Sequence, residues 1–388
     1  MGPLAGMKVV EFAAVGPAPM CAMLLADMGA TVLRIDRAQA GELGNLRALQ
    51  FDFLRRGRHS VTLDLKSRHG LALALDIVAG ADALIEGLRP GVMERLGLGP
   101  AQCLERSPGL VYGRVTGWGQ DGPLAQVAAH DLNYIALTGA LDVVGQAGGP
   151  PLVPLNLLGD FAGGSLYLAL GILAAFQEKQ RSGKGQVVDA AVVDGVSSLM
   201  TSLYGSLAAG QWKLERGSNL TDGGAPFYNV YECADGKHVS IAPIETRFYE
   251  LLLERAGIDA GELRERWNRA GWPAAKAVLG AAFKTRTRAE WCDLLEGSDC
   301  CFAPVLSMDE VAQHPHMRQR EVLVEVDGLQ QPAPAPRFSR STPQRPSTPK
   351  ATSRAEALVA LNEWLGPQRY ADLDPDALAA VQGSSGGA

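Results

Sequence analysis

His130, Asp160 and Glu245 are the side chains whose types and settings point to proton transfer. His130 directly precedes Asp131 at the start of a helical pattern. Histidine titrates near neutral pH and is the commonest general acid or base, although at a helix start it is also an ordinary structural residue that the dipole keeps neutral. Asp160 lies in Asn156-Leu-Leu-Gly-Asp-Phe-Ala-Gly-Gly-Ser165. An aspartate there can simply cap a helix. The flanking glycines also let a ligand approach the backbone, and helix-start N–H donors beside a carboxylate suit a developing oxyanion. Glu245, in Ile241-Ala-Pro-Ile-Glu-Thr-Arg-Phe-Tyr249, precedes another helical pattern, where plain pairing with the helix start is the ordinary role.

A second set of residues suits an anion. Arg34, Arg37, Arg55, Arg56, Arg58 and Arg89 follow strand-like runs or sit in loops, which is where open α/β sheets bind ligands. Taken singly each is an ordinary surface arginine; together they suit phosphates. In Arg89-Pro90-Gly91 the proline fits the first helical position, so backbone donors there could join Arg89.

Other chemistries lack their residues. The first turn, Gly16-Pro-Ala-Pro19, has one glycine where a dinucleotide fingerprint needs three, although Asp36 stands at the right distance beyond it. No HExxH, Cys₂His₂ or Gly-x-Ser-x-Gly occurs, and His314-Pro-His316 alone is a weak metal motif, so no metal is expected. The six cysteines, Cys21, Cys103, Cys233, Cys292, Cys300 and Cys301, form no CxxC pair and read as reduced thiols. A net charge of −6 offers no global field for nucleic acid. No leader and no uninterrupted apolar run of about 18 residues is apparent, and the tail Gly-Ser-Ser-Gly-Gly-Ala388 matches no sorting signal. A cytoplasmic protein without membrane contact is the expectation.

These residues need a scaffold, and the pattern supplies one. Apolar runs at 8–14, 31–36, 60–65, 83–87, 110–116 and 186–189 alternate with helical patterns at 20–29, 67–80, 131–139 and 160–180. That alternation predicts a mainly parallel sheet covered by helices. The polar, glycine-rich stretch 216–224 marks a boundary, and a new pattern opens at Phe227-Tyr-Asn-Val-Tyr231. Six prolines between Gln331 and Lys350 predict an extended linker, and 353–365 a last helix returning to the first lobe. No internal repeat is apparent.

Several long strings, in order, resemble the class III CoA-transferase superfamily: Gly2-Pro-Leu-Ala-Gly-Met-Lys-Val-Val-Glu-Phe12, Leu25-Ala-Asp-Met-Gly-Ala-Thr-Val-Leu-Arg-Ile-Asp36, Gly117-Trp-Gly-Gln-Asp-Gly-Pro123 and Gly183-Lys-Gly-Gln-Val-Val-Asp189. Within it, His130-Asp-Leu-Asn-Tyr-Ile-Ala-Leu-Thr-Gly139, Pro154-Leu-Asn-Leu-Leu-Gly-Asp160, Asp222-Gly-Gly-Ala-Pro-Phe-Tyr228 and Ile244-Glu245 are similar to the α-methylacyl-CoA racemases. The resemblance implies a large Rossmann-like lobe at 1–215, a smaller α+β lobe at 226–317, a linker and returning segment at 318–388, and an interlocked homodimer. It implies CoA contacts at Arg37, Leu54, Arg55, Arg58, Arg89 and Asp131, with coenzyme A as part of the substrate and no separate cofactor. The implied reaction interconverts (2R)- and (2S)-2-methylacyl-CoA through an enolate, with His130 and Asp160 flanking the α-carbon and Glu245, from the other subunit, orienting the histidine. The transferase branch instead uses the aspartate matching Asp160 as a nucleophile that forms a mixed anhydride. His130 decides between them, because inversion needs a group on each face of the carbon and acyl transfer needs one carboxylate. Around Glu245 this chain reads Ala242-Pro-Ile-Glu-Thr-Arg247 where the family has Gly-Ala-Ile-Glu-Pro-Gln. Acyl chain length is not legible.

Overall fold

The computed structural model describes residues 2–38, 47–259 and 261–384. The last four residues of the C-terminal tail lie outside that range. Two compact units emerge: one of residues 1–138, 155–199 and 321–388, the other of 139–154 and 200–320. The span 226–317 falls in the second unit, which also takes in 139–154 and 200–225.

Six strands form the sheet of the first unit: β1 (Lys8–Phe12), β2 (Thr31–Arg37), β3 (Arg58–Leu63), β4 (Ala83–Glu86), β5 (Val111–Thr116) and β6 (Val187–Ala191). All pairings are parallel, in the order β3-β2-β1-β4-β5-β6. Side chains alternate between two layers, as period-2 strands require. Val10, Phe12, Leu33, Ile35, Val61 and Leu84 pack under helices Arg68–Ala79 and Arg354–Leu365. Val9, Val32, Ala83, Ile85 and Val111 face helix Pro17–Asp27 and the long helix ending at Ser182.

On that second face the strands carry charge as well as apolar bulk. Glu11 stands directly opposite Arg34 in register and bonds it at 2.6 Å. Glu11 also pairs with Arg58, whose guanidinium donates to the Pro19 carbonyl at 3.2 Å and is 1% exposed. On the opposite face, in line with Leu84 and Tyr112, Arg114 reaches Glu86 at 3.0 Å and Glu94 at 2.9 Å. Removing one partner from such a buried pair leaves an uncompensated charge and costs about 3–5 kcal/mol.

Three expectations are corrected. The linker begins later than its prolines suggest, because Gln331 and Pro332 close the hairpin Leu323–Val326/Leu329–Pro332, and Arg56 bonds both the Gln331 side chain and the Pro332 carbonyl. Pro90 is not the first helical residue: Gly91, at φ +79°, is the cap, and the helix is the single turn Val92–Arg95. Last, Leu157–Ser182 is one 26-residue helix, long and apolar enough by length and composition to cross a membrane. An uninterrupted apolar count misses it because Asp160, Ser165 and four glycines break the run. A core helix passes the same test, and here Leu168, Ala169, Ile172 and Ala175 pack on the sheet.

The second unit has a three-stranded antiparallel sheet, β7 (Asn229–Glu232), β8 (His238–Ile241) and β9 (Phe302–Pro304). Its core is aromatic: Phe227, Tyr231, Tyr249, Trp272, Phe283 and Trp291 are buried together.

Candidate active site

The strand order reverses between β1 and β4, and ligands of such sheets bind in the crevice beyond the carboxyl ends at that point. Gly16 follows β1, Arg89 follows β4, and His130 follows β5 at the end of a loop. Gly87 brings the β4 loop against the first turn, since a side chain there would meet the Ala14 and Ala18 methyls at 3.1 and 3.2 Å.

Asp160 sits on a π-helical stretch, Leu157–Leu166, that runs into helix Tyr167–Ser182. Its i→i−5 geometry shows in the Phe161 N–H donating to the Asn156 carbonyl at 3.3 Å. Widened turns of this kind cluster at functional sites. The stretch is tied on three sides. The Asp160 N–H donates to the Asp131 carboxylate at 2.5 Å. The Ser165 hydroxyl bonds the carbonyls of Pro17 and Asp160 at 2.8 and 2.9 Å. A β-carbon on Gly16 would come within 3.0 Å of Asp160 Oδ2. Gly159 and Gly163 are glycines for the same reason, as side chains there would collide with Asp131 and Val196.

Burial and the neighbouring Asp131 charge raise the Asp160 carboxyl from its ordinary 3.8 to about 6, against the opposing pull of an Asn156 hydrogen bond and of His130. A carboxylate so poised is ionised at neutral pH and still basic enough to accept a proton from carbon. Burial also raises Asp131, offset by the backbone N–H donors of Asp160 and Gly159.

His130 is the N-cap of helix Asp131–Leu137 and is exposed, while Asp131 behind it is buried. Its N–H donates to Asn133 Oδ1 at 3.2 Å. One short helix therefore delivers both His130 and the carboxylate that anchors Asp160. Asp160, His130, Asp131 and Arg89 come together at the carboxyl ends of the strands. Tyr134, one turn beyond His130, feels the charges of Asp160, Arg89 and Asp131.

The arginines divide. Arg34, Arg56 and Arg58 are structural struts, paired with Glu11 and Asp36, with Asp27, and with Glu11 respectively. Arg37 and Arg89 are exposed, and Arg55 is half-buried with one bond to Asp36 at 3.1 Å. Leu54 is half-buried within the turn that carries Arg55. Glu245 caps helix Thr246–Ala256 and belongs to the second unit, whereas His130, Asp160 and Arg89 belong to the first. Gly16, Asn156 and Tyr134 are not among the site residues expected from the sequence: a lone glycine after a strand and a tyrosine in a helix carry little chemical signal, and Asn156 stood only within the aspartate string.

Residues 4–354 match the model of CoA-transferase family III. The chain is 44% identical to the α-methylacyl-CoA racemase of Mus musculus over 358 residues, covering 92% of this chain and 91% of that one. It is 41% identical to the Homo sapiens α-methylacyl-CoA racemase over 347 residues, covering 89% and 88%. The crystal structure of a CAIB/BAIF family protein from Brucella suis shares its fold, with a TM-score of 0.79 and 24% identity across 96% of this chain and all of the other. The chain belongs to CoA-transferase family III.

Proposed function

We propose that the chain is a racemase that interconverts (2R)- and (2S)-2-methylacyl-CoA thioesters. The observation that carries this reading is the pairing of Asp160, raised to about 6, with His130 on the helix whose Asp131 carboxylate fixes the Asp160 backbone. Whichever of the two faces the α-hydrogen takes it as a proton. The C–H electrons form the enolate double bond, charge moves to the thioester oxygen, and the other residue delivers a proton to the opposite face. Arg37, Arg55 and Arg89 hold the coenzyme A phosphates, with coenzyme A as part of the substrate. Kinship with two racemases above 40% identity supports this chemistry.

The test is inversion of a single enantiomer in deuterated water. His130→Ala and Asp160→Asn each reduce inversion by about 10²–10⁴, the usual worth of a positioned acid or base. Unchanged inversion in either variant overturns the two-base reading. Hydroxylamine trapping of an acyl group on Asp160 would replace it with the transferase chemistry. Arg89→Ala weakens acyl-CoA binding about tenfold while leaving the acyl-pantetheine thioester unaffected; equal losses for both ligands overturn the phosphate role.

The same reading assigns Glu245 to orienting His130 from the second subunit of an interlocked homodimer. Uncovered apolar side chains support an assembly: Leu137, Leu155, Leu157, Leu166 and Leu170 are each half or more exposed in the single chain.

A further inference from the structure

Tyr134 has more contacts than its place on a short helix requires. Its hydroxyl donates to the carbonyl of Ala129, the residue immediately before His130, at 2.5 Å. Its ring occupies the space above Gly117, where even a β-carbon would lie 1.9 Å from the ring carbons. It stands edge-on to Trp118, centroid to centroid 4.8 Å. Gly117 is itself fastened, its carbonyl accepting the Val193 N–H at 3.1 Å. The ring thus wedges the start of the long β5 loop against its end, and the hydroxyl pins the peptide that carries His130. The Asn133 side chain holds the next N–H along, that of His130 itself. Asp160 is held by bonds that do not involve Tyr134, its N–H to the Asp131 carboxylate and its carbonyl to the Ser165 hydroxyl.

We propose that Tyr134 is a positioning residue for His130 alone, fixing the direction of one of the two proton-transferring groups through the Ala129 carbonyl. This deepens the racemase reading and rests on it. Because each base serves one face of the α-carbon, loosening His130 has a signature that a general structural defect lacks. The enantiomer whose hydrogen faces Asp160 still loses that proton to Asp160 and regains a solvent-derived one on the same face. Only delivery from the His130 face fails. Exchange then continues without inversion.

Tyr134→Phe removes the hydroxyl and keeps the wedge. For that enantiomer, α-proton exchange and inversion are followed together in deuterated water. Inversion falls about tenfold, in keeping with a displacement well under 1 Å. Exchange changes less than threefold, and KM for the acyl-CoA is unmoved. The exchange-to-inversion ratio therefore rises several-fold, and being internal to the folded fraction it remains readable if the variant is partly unfolded. Exchange and inversion falling in parallel, or neither falling, overturns the proposal. Failure of the racemase reading looks different: the unmodified protein itself does not invert the substrate. Tyr134→Leu, which also removes the wedge, raises the same ratio further.

Discussion

Asp160 and His130 stand near each other on the first unit and are held in opposite ways. The Asp160 carboxyl is half-buried, pressed against Gly16, flanked by a second carboxylate and raised to about 6 by burial. Its backbone is bonded to Asp131 and, through Ser165, to the first turn of the fold. His130 is exposed at the tip of a seven-residue helix, held through its own N–H and the carbonyl before it. One group is tuned by the unit it belongs to; the other is placed by it and left open. A proton acceptor at carbon needs a raised basicity, which burial supplies to a carboxylate, and a second group on the other face needs a fixed direction.

Gly16 is where this difference breaks most sharply. Its φ of +68° belongs to the left-handed region that favours glycine, and alanine there would add a methyl 3.0 Å from Asp160 Oδ2. Gly16→Ala displaces the carboxylate and leaves the Asp131–Leu137 helix in place. Inversion is expected to fall about a hundredfold, the scale of a misplacement near 1 Å, while affinity for coenzyme A measured by calorimetry changes less than threefold. A loss of coenzyme A affinity as large as the loss of turnover would mean that Gly16 serves the ligand instead of the aspartate.

The scaffold was legible where its signals are local. Strands in a parallel sheet appear as apolar runs between helical patterns, and each run from Lys8 to Asp189 meets a strand in the sheet. Illegible were the interactions that join residues far apart in the chain. Arg58 reads as a surface cation beside Arg55 and Arg56, yet it is spent on Glu11, 47 residues away and two strands over. The divide between exposed and strand-paired arginines follows from strand order, which one sequence does not reveal. The π-helical stretch was hidden for a related reason: Gly163 within Leu157–Leu166 packs closely on the helix that begins at Val192, a contact between segments some 30 residues apart in the chain. The strings around His130 and Asp160 could be identified by resemblance, but the tyrosine and glycines packed against them are visible only in three dimensions.

A smaller effect tests whether Asp160 is tuned at the expense of stability. Its carboxyl is raised from 3.8 to about 6, so between those values the folded chain keeps a proton that the unfolded chain has released. Stability therefore falls as pH rises through that window, and above about 6 the full cost is present. Discounted for partial solvent exposure, that cost is about 1–2 kcal/mol. Asp160→Asn removes the ionisation and should be more stable than the parent by that amount at pH 8, with the gap closing by pH 4, as measured by urea unfolding at both. His130→Ala, at an exposed position, should show no comparable gain at pH 8. An equal gain for Asp160→Asn at both pH values would assign the effect to packing and remove the electrostatic half of the contrast.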